Sequence, residues 1–173
     1  MDVTIAAVGR LKAGRERDLC AHYLERAEKI GRVSGFHRFL VREVPESRAA
    51  RAADRMAQEA QRLQERVGLQ DQSGPKKRTA PPGRLICLDE RGSAWTSDRF
   101  AGWLRDQADS AAADTIIVAI GGADGLSSEL VATADVVLSL GRMTWPHQIV
   151  RVLIAEQLYR AMTILAGHPY HRA

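Results

Sequence analysis

The sequence predicts an α/β fold in which a largely parallel sheet is flanked by helices. Five short apolar segments of the strand type alternate along the chain with five helical patterns. Residues Thr115 to Ile120 are apolar throughout, which is typical of a parallel strand covered on both faces. The chain has 173 residues and 45% hydrophobic content, enough for one core, so we expect a single domain spanning residues 1–173.

The first half of the chain contains two predicted strands and two predicted helices. In order, they are a strand from Val3 to Val8, a helix from Glu16 to Ile30, a strand from Phe36 to Val44 and a helix from Ser47 to Val67. A glycine or a proline follows each of them, as expected at the end of an element. In the second helix, small apolar residues recur every three or four positions between arginines and glutamates, which predicts one narrow buried face.

The second half is more regular. The predicted elements are a strand from Arg84 to Leu88, a helix capped by Thr96 or Ser97, the strand from Thr115 to Ile120, a helix from Ser127 to Ala134, a strand from Val136 to Leu140 and a helix from Pro146 to Ala166. Phe100, Trp103, Leu104 and Ala108 share one face of the helix that follows Ser97. Every predicted strand is therefore separated from the next by a helix or a long loop.

Charge is distributed unevenly between the two halves. Residues 1–84 hold 18 Lys and Arg against 11 Asp and Glu, a net charge of +7, whereas residues 85–173 hold 7 against 10, a net charge of −3. A basic half is typical of a polyanionic partner, although solvated arginine-rich helices explain it equally well. Residues 68–83 are rich in proline, glycine and lysine and predict a loop.

Several classes of protein are disfavoured by composition. No apolar run approaches the ~20 residues that a membrane span needs, and the start lacks the pattern of a signal peptide, so we expect a cytoplasmic protein without membrane contact. The two cysteines, Cys20 and Cys87, lie far apart and lack the neighbours that a metal site requires. No metal is expected.

Two glycine-bearing loops follow predicted strands, where parallel sheets place their ligands. The first, Gly121-Gly122-Ala123-Asp124-Gly125, lacks the glycine spacing of dinucleotide sites and the lysine of a P-loop. Either its glycines let a ligand approach the backbone, or they only permit a tight turn. The second loop runs from Gly141 to His147. Together the loops predict a nucleoside-like ligand held between backbone donors and apolar side chains, namely Leu88, Leu140, Met143 and Trp145.

The last thirty residues are unusually rich in rings and donors. His147 and Arg151 are four positions apart and so share one helical face beside the second loop. Glu156 and Arg160 have the same spacing and predict a supporting ion pair. After Gly167 comes His168-Pro169-Tyr170-His171-Arg172, a terminal segment that would normally fray.

The chain resembles the SPOUT methyltransferases over its whole length. Within that class it is similar to the small enzymes that methylate ring nitrogen 3 of a pseudouridine in 23S ribosomal RNA. The matching blocks are residues 7–12, Ile120-Gly121-Gly122, Gly125-Leu126, Leu138-Ser139, Met143-Thr144, Pro146-His147, Arg151-Val152, residues 156–161 and Pro169-Tyr170-His171-Arg172.

The resemblance implies a fold that alternation alone does not predict, in which residues 85–173 form a deep trefoil knot that binds S-adenosylmethionine. True knots are rare among proteins. The implied cofactor contacts are Leu88, Gly121, Leu140, Gly141, Arg142, Met143, Thr144 and Trp145. It also implies a homodimer that acts on large-subunit ribosomal RNA, which we expect within the assembled ribosome.

Methyl transfer to this base requires a proton to leave ring nitrogen 3, which builds negative charge on the ring. We expect Arg151 to act as the electrostatic partner, with His147 beside it and Tyr170 and His171 handling the base. The alternative for Arg151 is that it only pairs with a carboxylate elsewhere in the fold. Three alternatives stay open: a SPOUT methyltransferase that acts on another RNA, a non-enzymatic ribosome-binding protein, and a nucleotide-dependent oxidoreductase. The last would need the glycine spacing that the first loop lacks.

Overall fold

The computed structural model describes residues 1–68, 83–110 and 113–170, so most of the predicted loop 68–83 lies outside the described residues. The strands are β1 (Asp2–Val8), β2 (Arg38–Val44), β3 (Arg84–Ala94), β4 (Thr115–Ile120) and β5 (Val136–Ser139). The helices are α1 (Arg15–Gly31), α2 (Ala52–Val67), α3 (Ser97–Ser110), α4 (Ser128–Ala132) and α5 (His147–Leu165), and a 3-10 turn spans Arg32–Ser34.

The five strands form one sheet in the order β2-β1-β4-β3-β5, and every neighbouring pair is parallel. The predicted α/β class with a parallel sheet is therefore confirmed. Because the strands are parallel, their carboxyl ends meet at one edge, and the loops that follow β3, β4 and β5 are neighbours there.

Helices cover both faces of the sheet. Alternate side chains of β1 point to opposite sides: Ile5 and Ala7 pack in a core with α1, α3 and α5, whereas Ala6 and Val8 pack in a second core with α2 and α4. Strand β4 is buried from Ile116 to Ile120, as predicted for a doubly covered strand. One sheet with a core on each face is the arrangement expected of the predicted single domain.

Two boundaries differ from the prediction by five residues or more, and the others by at most two. Strand β3 continues past Leu88 to Ala94, with a register shift between Leu88 and Ser93, because backbone pairing with β5 does not require the apolar pattern to continue. Helix α2 begins at Ala52 rather than Ser47. The Ser47 backbone N–H donates to Glu59 Oε1 at 2.7 Å, and the Ser47 hydroxyl donates to Gln58, so Ser47 binds the helix from outside it.

The last strand, β5, is only four residues long and pairs with β3 at the edge of the sheet. The loop that leads from it into α5 follows directly. The trefoil knot stays a prediction of the resemblance. Across residues 1–68, 83–110 and 113–170, no helix has the length and apolarity of a membrane span.

Candidate active site

A cleft of about 620 Å³ opens where β4 and β5 end, beside the register shift of β3 after Leu88. We call it the strand-end cleft. Its walls include seven of the eight residues predicted to contact a cofactor, namely Leu88, Gly121, Leu140, Gly141, Met143, Thr144 and Trp145. Arg142 belongs to the same loop but does not line the cleft. The sheet thus brings together residues that are up to 57 positions apart in the sequence, from Leu88 to Trp145.

The turn after β4 is packed against itself. A Cβ atom at Gly121 would lie 2.4 Å from the carbonyl carbon of Gly125 and 2.7 Å from the Leu126 nitrogen. Gly125 has a φ of 85°, and its N–H donates to the Gly122 carbonyl at 3.1 Å. The close packing of this turn therefore requires glycine at position 121, and the turn forms one wall of the cleft.

Even the smallest substitution at Gly121 is expected to disturb this wall. We expect Gly121→Ala to weaken binding of S-adenosylhomocysteine and to lower the melting temperature, because the methyl group cannot fit against the backbone of Gly125. Calorimetry and thermal unfolding measure the two effects. Gly102→Ala in α3 is the matched control, since a Cβ there meets nothing within 4 Å. Unchanged binding by Gly121→Ala would contradict the assignment of this wall.

The loop after β5 has exposed apolar side chains. Met143 is 72% exposed and Trp145 is 41% exposed. Large apolar side chains that are exposed next to each other are typical of a surface that binds a ligand or another protein. Gly141 has a φ of 113°, and the Ser139 side chain both accepts from its N–H at 3.2 Å and donates to its carbonyl at 3.0 Å. The start of the loop is therefore anchored, and its apolar residues extend beyond the anchor.

Three carboxylates line the cleft that pattern reading did not assign to it: Asp89, Glu90 and Asp124. The Arg91 side chain donates to Asp89 and holds the pKa of that carboxyl below its usual range. Arg55 does the same for Asp124. A signal was present in the sequence, since Asp89 and Glu90 directly follow the predicted strand from Arg84 to Leu88 and Asp124 lies within the glycine turn. The cleft therefore combines apolar walls with charged side chains, of which Asp89 is paired with Arg91, itself part of the lining, and Asp124 with Arg55.

Three of the four predicted catalytic residues are described by the structure, and among these three His147 alone lines the cleft. Arg151 is fully buried one turn further along α5. Its guanidinium donates to Glu43 Oε1 at 2.6 Å, to the Val8 carbonyl at 2.6 Å and to the Gly9 carbonyl at 2.8 Å. Burial lowers the pKa of Arg151, and the Glu43 carboxylate opposes that shift. This geometry favours a role in holding α5 against the ends of β1 and β2 over direct contact with a substrate.

Tyr170 lies in a different group of residues, which we call the tail cluster and which consists of Arg26, Glu156, Tyr159, Arg160 and Tyr170. The Tyr170 hydroxyl donates to Glu156 Oε1 at 3.3 Å, and its ring centroid is 4.7 Å from that of Tyr159. Arg160 lies over the Tyr170 ring at 5.4 Å, and Arg26 donates to the Tyr159 hydroxyl. Partial burial raises the pKa of Tyr170, so its hydroxyl stays protonated at neutral pH.

The predicted pair of Glu156 and Arg160 is present, at 2.9 Å, and half-buried within the tail cluster. The sequence pattern did not indicate that Arg26 would contact Tyr159 beside this ion pair, because Arg26 lies in α1 and Tyr159 in α5. His171, the fourth predicted catalytic residue, lies outside the described residues. None of the five members of the tail cluster lines the strand-end cleft.

Comparison with known proteins gives a consistent picture over the full length. Residues 1–171 match the family described as predicted SPOUT methyltransferase. Ribosomal RNA large subunit methyltransferase H from Sinorhizobium medicae is 52% identical over 173 residues, and the protein of that name from Rhizobium meliloti is 51% identical over 173 residues; both alignments cover 100% of each chain. Among solved structures, a SpoU methyltransferase from Streptomyces viridochromogenes in complex with AdoMet matches with a TM-score of 0.39 and 12% identity, covering 97% of this chain and 58% of that one.

Proposed function

The chain belongs to the SPOUT methyltransferase family, and from this premise we propose that it methylates ring nitrogen 3 of a pseudouridine in 23S ribosomal RNA, with S-adenosylmethionine as the methyl donor. The observation that supports this proposal most strongly is the strand-end cleft, whose walls are the loops that the family resemblance implies for the cofactor. The printed names of relatives about half identical over their full length agree with a ribosomal RNA substrate.

The residues of the cleft fit S-adenosylmethionine. A volume of about 620 Å³ is within the range of small-molecule sites. Leu88, Leu140 and Trp145 would pack against an adenine ring, and the backbone groups of the two glycine loops would take its hydrogen bonds. The Glu90 carboxylate would complement a sulfonium or an ammonium group, whereas Asp89 is already paired with Arg91. When bound, the cofactor would supply an electrophilic methyl group to an in-line displacement, which needs no metal.

The protein's own contribution is to bind the base and to manage its proton. Ring nitrogen 3 carries a proton at neutral pH, so a group near the cleft must accept it or stabilise the charge that its loss creates. His147 is the predicted catalytic residue placed to do so from the same subunit. Tyr170 and His171 would add donors from the tail, and Arg151 would hold α5 so that His147 faces the cleft.

The geometry of α5 supports a site built from two subunits. Tyr170 is bonded to Glu156, which is nine residues after His147. Nine residues of α-helix correspond to about 13 Å and two and a half turns, so the two side chains point to opposite sides. Tyr170 therefore does not share a site with His147 of its own chain in this arrangement. We propose a homodimer in which the tail of one subunit completes the cleft of the other.

Ribosomal RNA as the substrate agrees with the charge distribution. The half of the chain with net charge +7 offers phosphate contacts, while the strand-end cleft belongs to the half with net charge −3. We propose that the assembled ribosome is the substrate and that the protein works in the cytoplasm, where ribosomes are.

The proposal is tested by incubating the protein with S-adenosylmethionine and large ribosomal subunits and analysing the digested RNA by mass spectrometry. We expect a methyl group on a pseudouridine, at nitrogen 3 when compared with synthetic standards. RNA that contains uridine in place of that pseudouridine is the control and should stay unmodified. A methyl group on another nucleotide would indicate a SPOUT enzyme with a different RNA target, and ribosome binding without methylation would indicate a non-enzymatic protein.

Cofactor choice is tested separately by thermal unfolding with S-adenosylhomocysteine, NAD or buffer. A ligand at one hundred times its dissociation constant adds about 2.7 kcal/mol to the free energy of unfolding, which shifts the melting temperature measurably. We expect a shift with S-adenosylhomocysteine alone. A shift with NAD instead would favour the oxidoreductase alternative.

A further inference from the structure

Arg55 links three parts of the chain. Its side chain donates to both carboxylate oxygens of Asp124, at 2.7 and 3.0 Å, and Asp124 lies in the glycine turn that lines the strand-end cleft. The remaining terminal nitrogen donates to the carbonyls of Ala49 and Ala50, at 3.1 and 3.0 Å, just before α2. Such a planar fork fixes orientation as well as distance.

The second contact between α2 and the turn comes from Glu59, one helical turn further along. Glu59 is only 5% exposed; one oxygen accepts from the Ser47 backbone, and the other is buried without a hydrogen-bond partner. A Cβ at Gly122 would lie 3.1 Å from that second oxygen, which is closer than ordinary van der Waals contact, so the turn packs tightly against the Glu59 carboxylate. Helix α2 thus contacts the glycine turn through two residues one helical turn apart, Arg55 and Glu59.

We propose that Arg55 is a positioning residue for the cofactor, which acts by holding Asp124 and with it the glycine turn in the shape that the bound cofactor requires. This inference rests on the proposed function, because it assigns Arg55 to the cofactor site of a methyltransferase. Arg55 itself does not line the cleft, and its bonds to Asp124 lead to the turn that does, so we expect its effect to pass through the turn.

The pair differs from an ordinary surface ion pair on the same helix. Arg51 and Asp54 are three positions apart, and the Arg51 side chain is 81% exposed, so their bond is local to the first turn of α2. Arg55 and Asp124 are 69 positions apart and only 29% and 28% exposed. The Arg55 contact therefore constrains tertiary structure at the cleft, whereas the Arg51 contact does not.

The test compares Arg55→Met and Arg55→Lys with Arg51→Met, using S-adenosylhomocysteine as the probe. We expect both Arg55 variants to bind at least about tenfold more weakly, since lysine keeps the charge but not the fork. The turnover number at saturating S-adenosylmethionine should stay near that of the unmodified protein while the KM for the cofactor rises. Arg51→Met should match the unmodified protein in both respects.

A merely structural role would give a different result, namely a lower melting temperature with unchanged affinity in the folded protein, and that result would overturn the inference. So would an Arg55→Lys variant that binds normally, because charge alone would then suffice. If the unmodified protein does not bind S-adenosylhomocysteine, both the proposed function and the positioning role of Arg55 are wrong. If the unmodified protein and both Arg55 variants bind it equally well, only the positioning role is refuted.

A double-mutant cycle with Asp124→Asn tests whether Arg55 acts on cofactor binding through Asp124. If Arg55 acts through Asp124, combining Arg55→Met with Asp124→Asn should weaken binding no more than the more harmful single change, because both remove the same contact. Losses that add would show independent action and would contradict the proposal.

Discussion

Removal of residues 169–173 is expected to abolish methyl transfer while S-adenosylhomocysteine still binds with the affinity of the intact chain. Cofactor binding should persist because Tyr170 packs in the tail cluster and does not line the strand-end cleft of its own subunit. Methyl transfer should be lost because we propose that the tail handles the base. We expect the rate to fall at least about a hundredfold, the usual contribution of positioned proton-transfer groups. Single-turnover methylation of ribosomes measures the loss, and calorimetry measures cofactor binding.

Mixed dimers show which subunit the tail serves. The partner for the truncated chain is Ala123→Trp, which keeps the tail but places an indole in the wall of the cleft; its loss of cofactor binding is checked first. Each parent dimer should be inactive, whereas a dimer of one truncated and one Ala123→Trp subunit should regain one working site. If the mixed dimer forms and stays inactive, the tail acts on its own subunit and the shared-site proposal is wrong.

Replacement of Arg151 by alanine is expected to lower the free energy of unfolding by about 3–5 kcal/mol, the range measured when one partner of a buried ion pair is removed. The side chain is fully buried and bonded to Glu43 and to two carbonyls at the end of β1, and its loss leaves all three acceptors without this donor. Denaturant unfolding gives the number. Arg17→Ala, an exposed arginine of α1, is the control and should change stability by less than about 0.5 kcal/mol.

The same variant separates the two roles considered for Arg151. A positioning role predicts that stability and activity fall together and that Arg151→Lys recovers part of both, since lysine still offers a charge to Glu43. A variant with normal stability and no methyl transfer would instead support the direct catalytic contact predicted from the spacing of His147 and Arg151.

The architecture was largely predictable because strand and helix patterns are local. The apolar run of β4 and the small-residue stripe of α2 determine which faces are buried, and parallel pairing then follows from the helices between the strands. The convergence of the loops after β4 and β5 could also be anticipated, because parallel strands end at one edge of the sheet.

The features that sequence patterns could not locate depend on long-range contacts. The start of α2 is set by Ser47 and Glu59, and the position of Arg151 is set by Glu43, which is 108 residues away. A four-residue spacing places His147 and Arg151 on similar sides of a helix. It does not reveal that His147 lines the cleft while Arg151, one helical turn later, is buried in the core. The pairing of Arg55 with Asp124 escaped pattern reading for the same reason of distance.

The order of strands in the sheet also governs when the protein becomes competent during its synthesis. Strand β1 lies between β2 and β4, so one of its edges stays unpaired until Thr115–Ile120 has left the ribosome. A nascent chain that ends before β4 has only the β1–β2 pair and β3, which cannot yet join them. Two paired strands are marginal alone, and distant parallel pairing is slow. Folding therefore waits for β4, and a ligand can bind in the strand-end cleft only after the loop that follows β5 has been synthesised.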